Sequence, residues 1–169
     1  MDLQDYLNFC MDYGRSLEKH LRIGTALEYL NGLDENKNIV VDMSWKEGAI
    51  KNYKGFKDKE YSESRIKEIE ETHQMYLTAE FDSYRGDYAQ MYIGYNFEPH
   101  KFTVKNLKDL LLDAKRVGEM EGYKGGTFSI NDNTLLNIAS YSNCEGILPM
   151  GFKDIDDDNV MLLTQYYED

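Results

Sequence analysis

Cysteine, histidine and basic residues are all in short supply in this chain, and each shortage removes a class of explanation. Two cysteines in 169 residues, Cys10 and Cys144, match neither a disulfide-rich scaffold nor a metal-binding spacing, so both read as buried thiols. Three histidines, His20, His73 and His100, fall in separate segments, and no nucleophile and base pair follows from their order. Nineteen Lys and Arg stand against 31 Asp and Glu, a net charge of −12, which argues against nonspecific nucleic-acid binding through the whole surface. No apolar run approaches the roughly 20 residues that a membrane-spanning helix requires. The N-terminal stretch MDLQDYLNFCMDYGRS is acidic where a secretory signal is basic, so the expected location is the cytoplasm. The commonest chemical signatures are missing as well. There is no GxxxxGK[ST], no GxGxxG after a strand, no HExxH, no GxSxG and no paired CxxC, so the chain is expected to be non-catalytic and to carry no cofactor.

What is present reads as one domain over residues 1–169, helix-rich to about residue 75 and strand-rich beyond. Leu3, Leu7, Cys10, Leu17 and Leu21 recur at helical spacing behind a capping Asp2. Gly24 is expected to interrupt this helix, with a second segment from Thr25 to Asn31 closing at Gly32. Ile39 to Met43 suits a strand, and Ser44 with Glu47 is spaced as a capping box for a helix ended by Gly55. The stretch 46–61, KEGAIKNYKGFKDKEY, mixes lysines with aromatics as a nucleic-acid surface does. Glu47, Asp58 and Glu60 dilute it, and a solvated loop is the expectation. Ser62 is expected to cap a helix carrying Ile66, Ile69 and His73 on one face.

Between Tyr76 and Phe97 the apolar period becomes two, a β-hairpin turned at Gly86, with Arg85-Gly86-Asp87 needed for the turn rather than for adhesion. Thr103 then caps a helix with Val104, Leu107, Leu110, Leu111, Ala114 and Val117 on one face, stopped by Gly118. Its other face carries Lys105, Lys108, Lys115 and Arg116 among Asp109 and Asp113, read as solvated. A glycine-permitted hairpin is expected around Gly122 to Thr127, with strands at Thr127–Ile130, Leu135–Tyr141, Ile147–Phe152 and Val160–Tyr166. The resulting fold class is α+β, an antiparallel sheet of central hairpin plus C-terminal meander packed by several helices.

Charge is distributed unevenly. Residues 119–169 hold 10 acids and 2 bases, net −8 of the total −12. Asp154, Asp156 and Asp158 occupy the first, third and fifth positions of a calcium loop. Asn159 then stands where glycine is required and Gln165 where the bidentate glutamate belongs, so no metal site is expected.

The run Gly122-Tyr123-Lys124-Gly125-Gly126-Thr127-Phe128-Ser129-Ile130, between the Leu-rich helix and the Thr134-Leu135 strand, resembles the C-terminal part of small uncharacterised phage and prophage proteins of Firmicutes and related gut bacteria. The resemblance covers residues 103–152. It implies an accessory protein of a mobile element, of the kind that blocks host defence nucleases or modifies host regulation. Together with the charge it points to a non-catalytic inhibitor, anti-CRISPR or anti-restriction in type. Asp154, Asp156, Asp157, Asp158 and Glu145 are its expected partner-binding residues, facing a basic nucleic-acid-binding surface on a host or defence protein. Two alternatives stand beside it: a small enzyme or ligand-binding protein with a tyrosine-lined pocket, and a structural module that self-associates, as a homodimer for example.

Overall fold

The computed structural model describes residues 19–85, 89–122, 125–139 and 145–168. The stripe from Leu3 to Leu17, both cysteines, Gly86 and Asp87, and Tyr123 and Lys124 lie outside the described residues. Those described form four helices and eight strands. In chain order these are α1 (Ile23–Asn31), β1 (Asn38–Val41), α2 (Trp45–Lys54), α3 (Lys59–Glu70), β2 (Tyr76–Ser83), β3 (Gln90–Asn96), α4 (Val104–Val117), β4 (Glu119–Glu121), β5 (Thr127–Ser129), β6 (Leu135–Ile138), β7 (Glu145–Asp154) and β8 (Asn159–Glu168).

Six strands make one sheet in the order β1-β8-β7-β6-β3-β2, and β4 pairs with β5 apart from it. The fold is α+β, with a mainly antiparallel but mixed sheet. β6, β7 and β8 form the antiparallel succession that their spacing implies. Thr127–Ser129 leaves that meander to pair with β4, and the central hairpin joins the sheet through a parallel β3–β6 ladder. Parallel neighbours need a long crossover, and α4 with the small β4–β5 hairpin supplies it. β1 runs parallel to β8. The sheet curls until its two edge strands, β1 and β2, come into contact, and just before β2 Gln74 Nε2 donates to Val41 O across that approach at 2.9 Å. The outer edge of β1 is closed by Phe102 to Val104, with Ile39 N donating to Phe102 O (2.8 Å) and Val104 N to Lys37 O (2.9 Å).

α4 follows its sequence pattern most closely. Thr103 and Asn106 cap each other reciprocally, through Asn106 N to Thr103 Oγ1 (3.2 Å) and Thr103 N to Asn106 Oδ1 (2.9 Å), and Gly118 stops the helix at φ 75°. Its buried face, Val104, Leu107, Leu110, Leu111 and Ala114, joins one continuous core with Ile23 and Leu30 of α1 and Met91, Ile93, Leu136 and Ile138 of the sheet.

Other local expectations give way to competing contacts. Gly24 lies inside α1 rather than before it, because its role is close approach: a Cβ there would sit 2.8 Å from Asp132 Cβ. Ser44 precedes α2 but forms no capping box, since its N–H and hydroxyl both turn back to the Asp42 carboxylate at 2.9 Å. Residues 46–61 are no loop. They contain all of α2 beyond Trp45, a turn and the start of α3, which is capped by Asp58 accepting from Tyr61 N at 3.1 Å. Ser62, expected at the cap, is buried within α3 and donates its hydroxyl to Tyr53 O, fastening the two helices together. His73 falls beyond the end of α3, exposed and edge-on to Phe97 at 5.9 Å, so it shares no helical face with Ile66 and Ile69.

His20, at 4% exposure, is the one buried histidine among the described residues. Its Nε2 donates to Leu136 O while Nδ1 has no partner, the pattern of a neutral ring. Burial holds it below the ordinary histidine value, and the nearby Arg22 charge acts in the same direction against the Leu136 bond. A group depressed in this way contributes stability that is complete above the unfolded value, near 6.5, and is lost as pH falls below it, because the unfolded chain takes up the proton first. Urea midpoints should therefore fall more steeply between neutrality and about pH 5 for the native chain than for His20→Gln. The excess slope is bounded by one proton, about 1.4 kcal/mol per pH unit. Equal slopes would show that His20 does not titrate between the two states.

Candidate functional site

The turn joining β7 to β8 holds Asp154, Asp156, Asp157 and Asp158 together, and its construction is specific. The Asp156 carboxylate accepts from Asp158 N (2.8 Å), Asn159 N (2.7 Å) and Asn159 Nδ2 (3.2 Å). This is the side-chain mimic of a backbone turn that Asp forms readily. The Asp158 N–H bond, followed by that from the Asn159 side chain, leads the causes that hold its carboxyl below the ordinary range. Lys37, from the segment preceding β1, reaches across with Nζ donating to Asp154 Oδ1 (2.6 Å) and to Asp156 O (2.8 Å). Its bond to the Asp154 carboxylate holds the Lys37 ammonium above its ordinary value. Asn38 N adds a backbone tie to Asp158 O at 2.8 Å.

The four aspartates therefore divide into two pairs. Asp154 and Asp156 hold the turn, and the carboxylates of Asp157 and Asp158 enter no hydrogen bond or ion pair among the described residues. Ile155 stands in the same turn with 41% of its surface exposed. The calcium-like spacing is answered from within: the Lys37 ammonium already supplies positive charge to the oxygens of Asp154 and Asp156. Among the described residues no group of three His, Cys, Asp or Glu side chains could hold a metal ion.

Glu145 does not join this site. It begins β7 and Asp154 ends it, a separation of about 30 Å at the rise of an extended strand. Nor is the acidic third of the chain one face in space. Asp132 pairs with Lys115 of α4 at 2.8 Å, and Glu119 and Glu121 lie on β4, outside the main sheet. The basic stripe of α4 is likewise spent internally: Lys105 pairs with Asp109 (2.8 Å), Arg116 with Asp113 (2.7 Å) and Lys108 with Glu35 (3.0 Å).

Beside the turn opens a cleft of about 720 Å³, lined by Asp34, Lys37, Tyr76, His100, Lys101 and Asp157 among others. His100 is fastened by both ring nitrogens, Nδ1 to Glu98 O and Nε2 to Leu77 O, each at 2.7 Å. It therefore ties the Phe97–Lys101 segment to β2 and has no ring nitrogen left over for a ligand. Sequence reasoning missed Lys37, Asn159 and Ile155. Nothing local marks Lys37, 117 positions from Asp154, whereas an isoleucine among five acidic or amide residues is a legible anomaly. No helix among the described residues is long and apolar enough to cross a membrane.

Compared with protein-family models, with curated proteins and with solved structures, the chain matches none.

Proposed function

We propose that this chain is a protein-binding module whose β7–β8 turn docks on a basic, nucleic-acid-binding face of another protein, in the manner of a phage-encoded inhibitor of a defence nuclease. The observation that carries the reading is the division of labour in the turn. Asp154, Asp156, Lys37 and Asn159 hold a fixed shape, and that shape presents Ile155 beside the uncommitted carboxylates of Asp157 and Asp158. A fixed turn loses little conformational entropy on docking. An apolar residue ringed by charge resembles the buried centre and polar rim of an interface. The acidic field of the whole chain, net −12, favours approach to a cationic surface.

The test uses Asn at positions 154, 156, 157 and 158. Asn keeps the oxygen that accepts the turn's N–H groups, so the turn survives while its charge goes. Bait columns bearing the native chain and the fourfold variant are compared on a bacterial lysate, and association rates are then measured on the captured protein. The variant should associate about tenfold more slowly at low salt, with dissociation less affected and the difference shrinking as salt rises. Ile155→Ser should act on dissociation instead. Equal capture and equal rates for all three chains would dismiss the turn as the docking element.

A further inference from the structure

We propose that the corner between α2 and α3 binds a single-stranded nucleic acid, with bases stacking on Phe56 and Tyr61 and phosphates held by Lys51, Lys54, Lys57 and Lys59. Each side chain in this set is exposed, and the corner is built rather than loose. Phe56 and Tyr61 stack on each other at 6.3 Å with their planes 14° apart, and both lean on buried Tyr53, at 5.0 and 6.1 Å. Two rings, each 43% exposed, thus form a supported aromatic platform of the kind on which a base adds a further layer.

The lysines supply an independent observation. On a chain with 31 acids, every cation of the α4 stripe has found a carboxylate. Lys51, Lys54, Lys57 and Lys59 enter no ion pair or hydrogen bond among the described residues. Lys51 and Lys54 lie in the last turn of α2, where the helix dipole welcomes cations. Lys57 and Lys59 flank the N-cap of α3, where it disfavours them. Helix stability therefore does not account for those two. Of the acids nearby, the Asp58 carboxylate is committed to the cap, and Glu60 leaves the lysines in excess. As a helical corner this stretch holds them at the end of α2 and the start of α3, the two helix ends that the platform joins. A polyanion with flat, unstacked bases complements both features. An acidic polypeptide complements only the charge, and a duplex offers no base faces.

The experiment is fluorescence anisotropy of a labelled oligothymidylate of about 12 nucleotides against the full chain at low salt. The native chain should bind, with affinity falling as salt rises. The triple variant Lys51→Gln, Lys54→Gln, Lys57→Gln should bind at least about tenfold more weakly and with a flatter salt dependence. Phe56→Leu should lose about tenfold in affinity with its salt dependence unchanged. Should Phe56→Leu unfold by circular dichroism, the lysine variant, which touches no buried group, still decides. Absence of binding by the native chain, or unchanged binding by the lysine variant, overturns the proposal. So does equal binding of a duplex of the same length or of an oligoglutamate, the latter indicating a dock for an acidic segment such as another copy's β7–β8 turn. The docking of the β7–β8 turn stands or falls separately, since its variants lie on a different surface.

Discussion

Replacing Leu111 with alanine should destabilise the fold by about 2 to 5 kcal/mol, the largest loss expected from any single truncation on α4. Leu111 is fully buried, and α4 packs on both β2 and α1, so several elements would have to move to refill the space. Because relaxation of that kind is partial, a cavity term adds to the lost transfer energy. The proper contrast is Lys105→Ala. Lys105 is 57% exposed and, among the described residues, pairs with Asp109 in the neighbouring turn, a solvent-screened surface pair that contributes little to stability. Lys108 would be a poor control despite its place on the same face. Its side chain is only 19% exposed and bridges to Glu35 across the molecule. Urea unfolding followed by circular dichroism separates the two outcomes, and equal midpoints for Leu111→Ala and Lys105→Ala would refute the placement of α4 in the core.

How α4 came to be legible shows what the chain writes locally and what it does not. Capping, apolar period and a left-handed stop all lie within the 16 residues from Thr103 to Gly118, and the structure has a counterpart for each except the last apolar position, Val117, which at the end of the helix is 60% exposed rather than on the buried face. The hairpin at Tyr76 to Asn96 is legible as alternation around a turn, and the β7–β8 pair as two apolar runs on either side of an Asp-rich turn. Ser44 and Ser62 misled because a hydroxyl has several acceptors within reach. Asp42 and Tyr53 O compete with the helix end for it, and the winner depends on tertiary position. The parallel ladders β1–β8 and β3–β6 have no local mark at all, since strand order in a mixed sheet is decided by which faces the helices cover. The same holds for the candidate site. Its aspartates are contiguous and were legible; the Lys37 that locks them comes from the far side of the fold. Glu145 looked like a member only because linear charge counting cannot see that β7 carries it to the opposite end of the sheet.

Glycine to alanine changes at three positions should split in sign, with Gly146→Ala losing about 1 to 3 kcal/mol. On propensity alone each should gain, because glycine inside a helix or strand costs roughly 0.5 to 1 kcal/mol relative to alanine. At Gly48, within α2, a new Cβ meets nothing within 4 Å, and Gly48→Ala should raise stability by about that amount. At Gly146 the Cβ would lie 2.7 Å from Asn137 Oδ1 and 2.8 Å from the Tyr84 hydroxyl. Neither group can withdraw cheaply: Asn137 is 0% and Tyr84 1% exposed, and the Asn137 amide is also engaged with Gln90. The methyl must push apart β6, β7 and the end of β2, and overpacking then outweighs the propensity gain. Gly24→Ala should fall on the same side as Gly146→Ala, because the obstacles there include the Asp132 backbone oxygen at 3.0 Å, and backbone yields less than a flexible side chain. Thermal melts of the three variants measured together give the answer. Stabilisation by Gly146→Ala would mean that β7 does not approach Asn137 and Tyr84 as closely as this sheet requires.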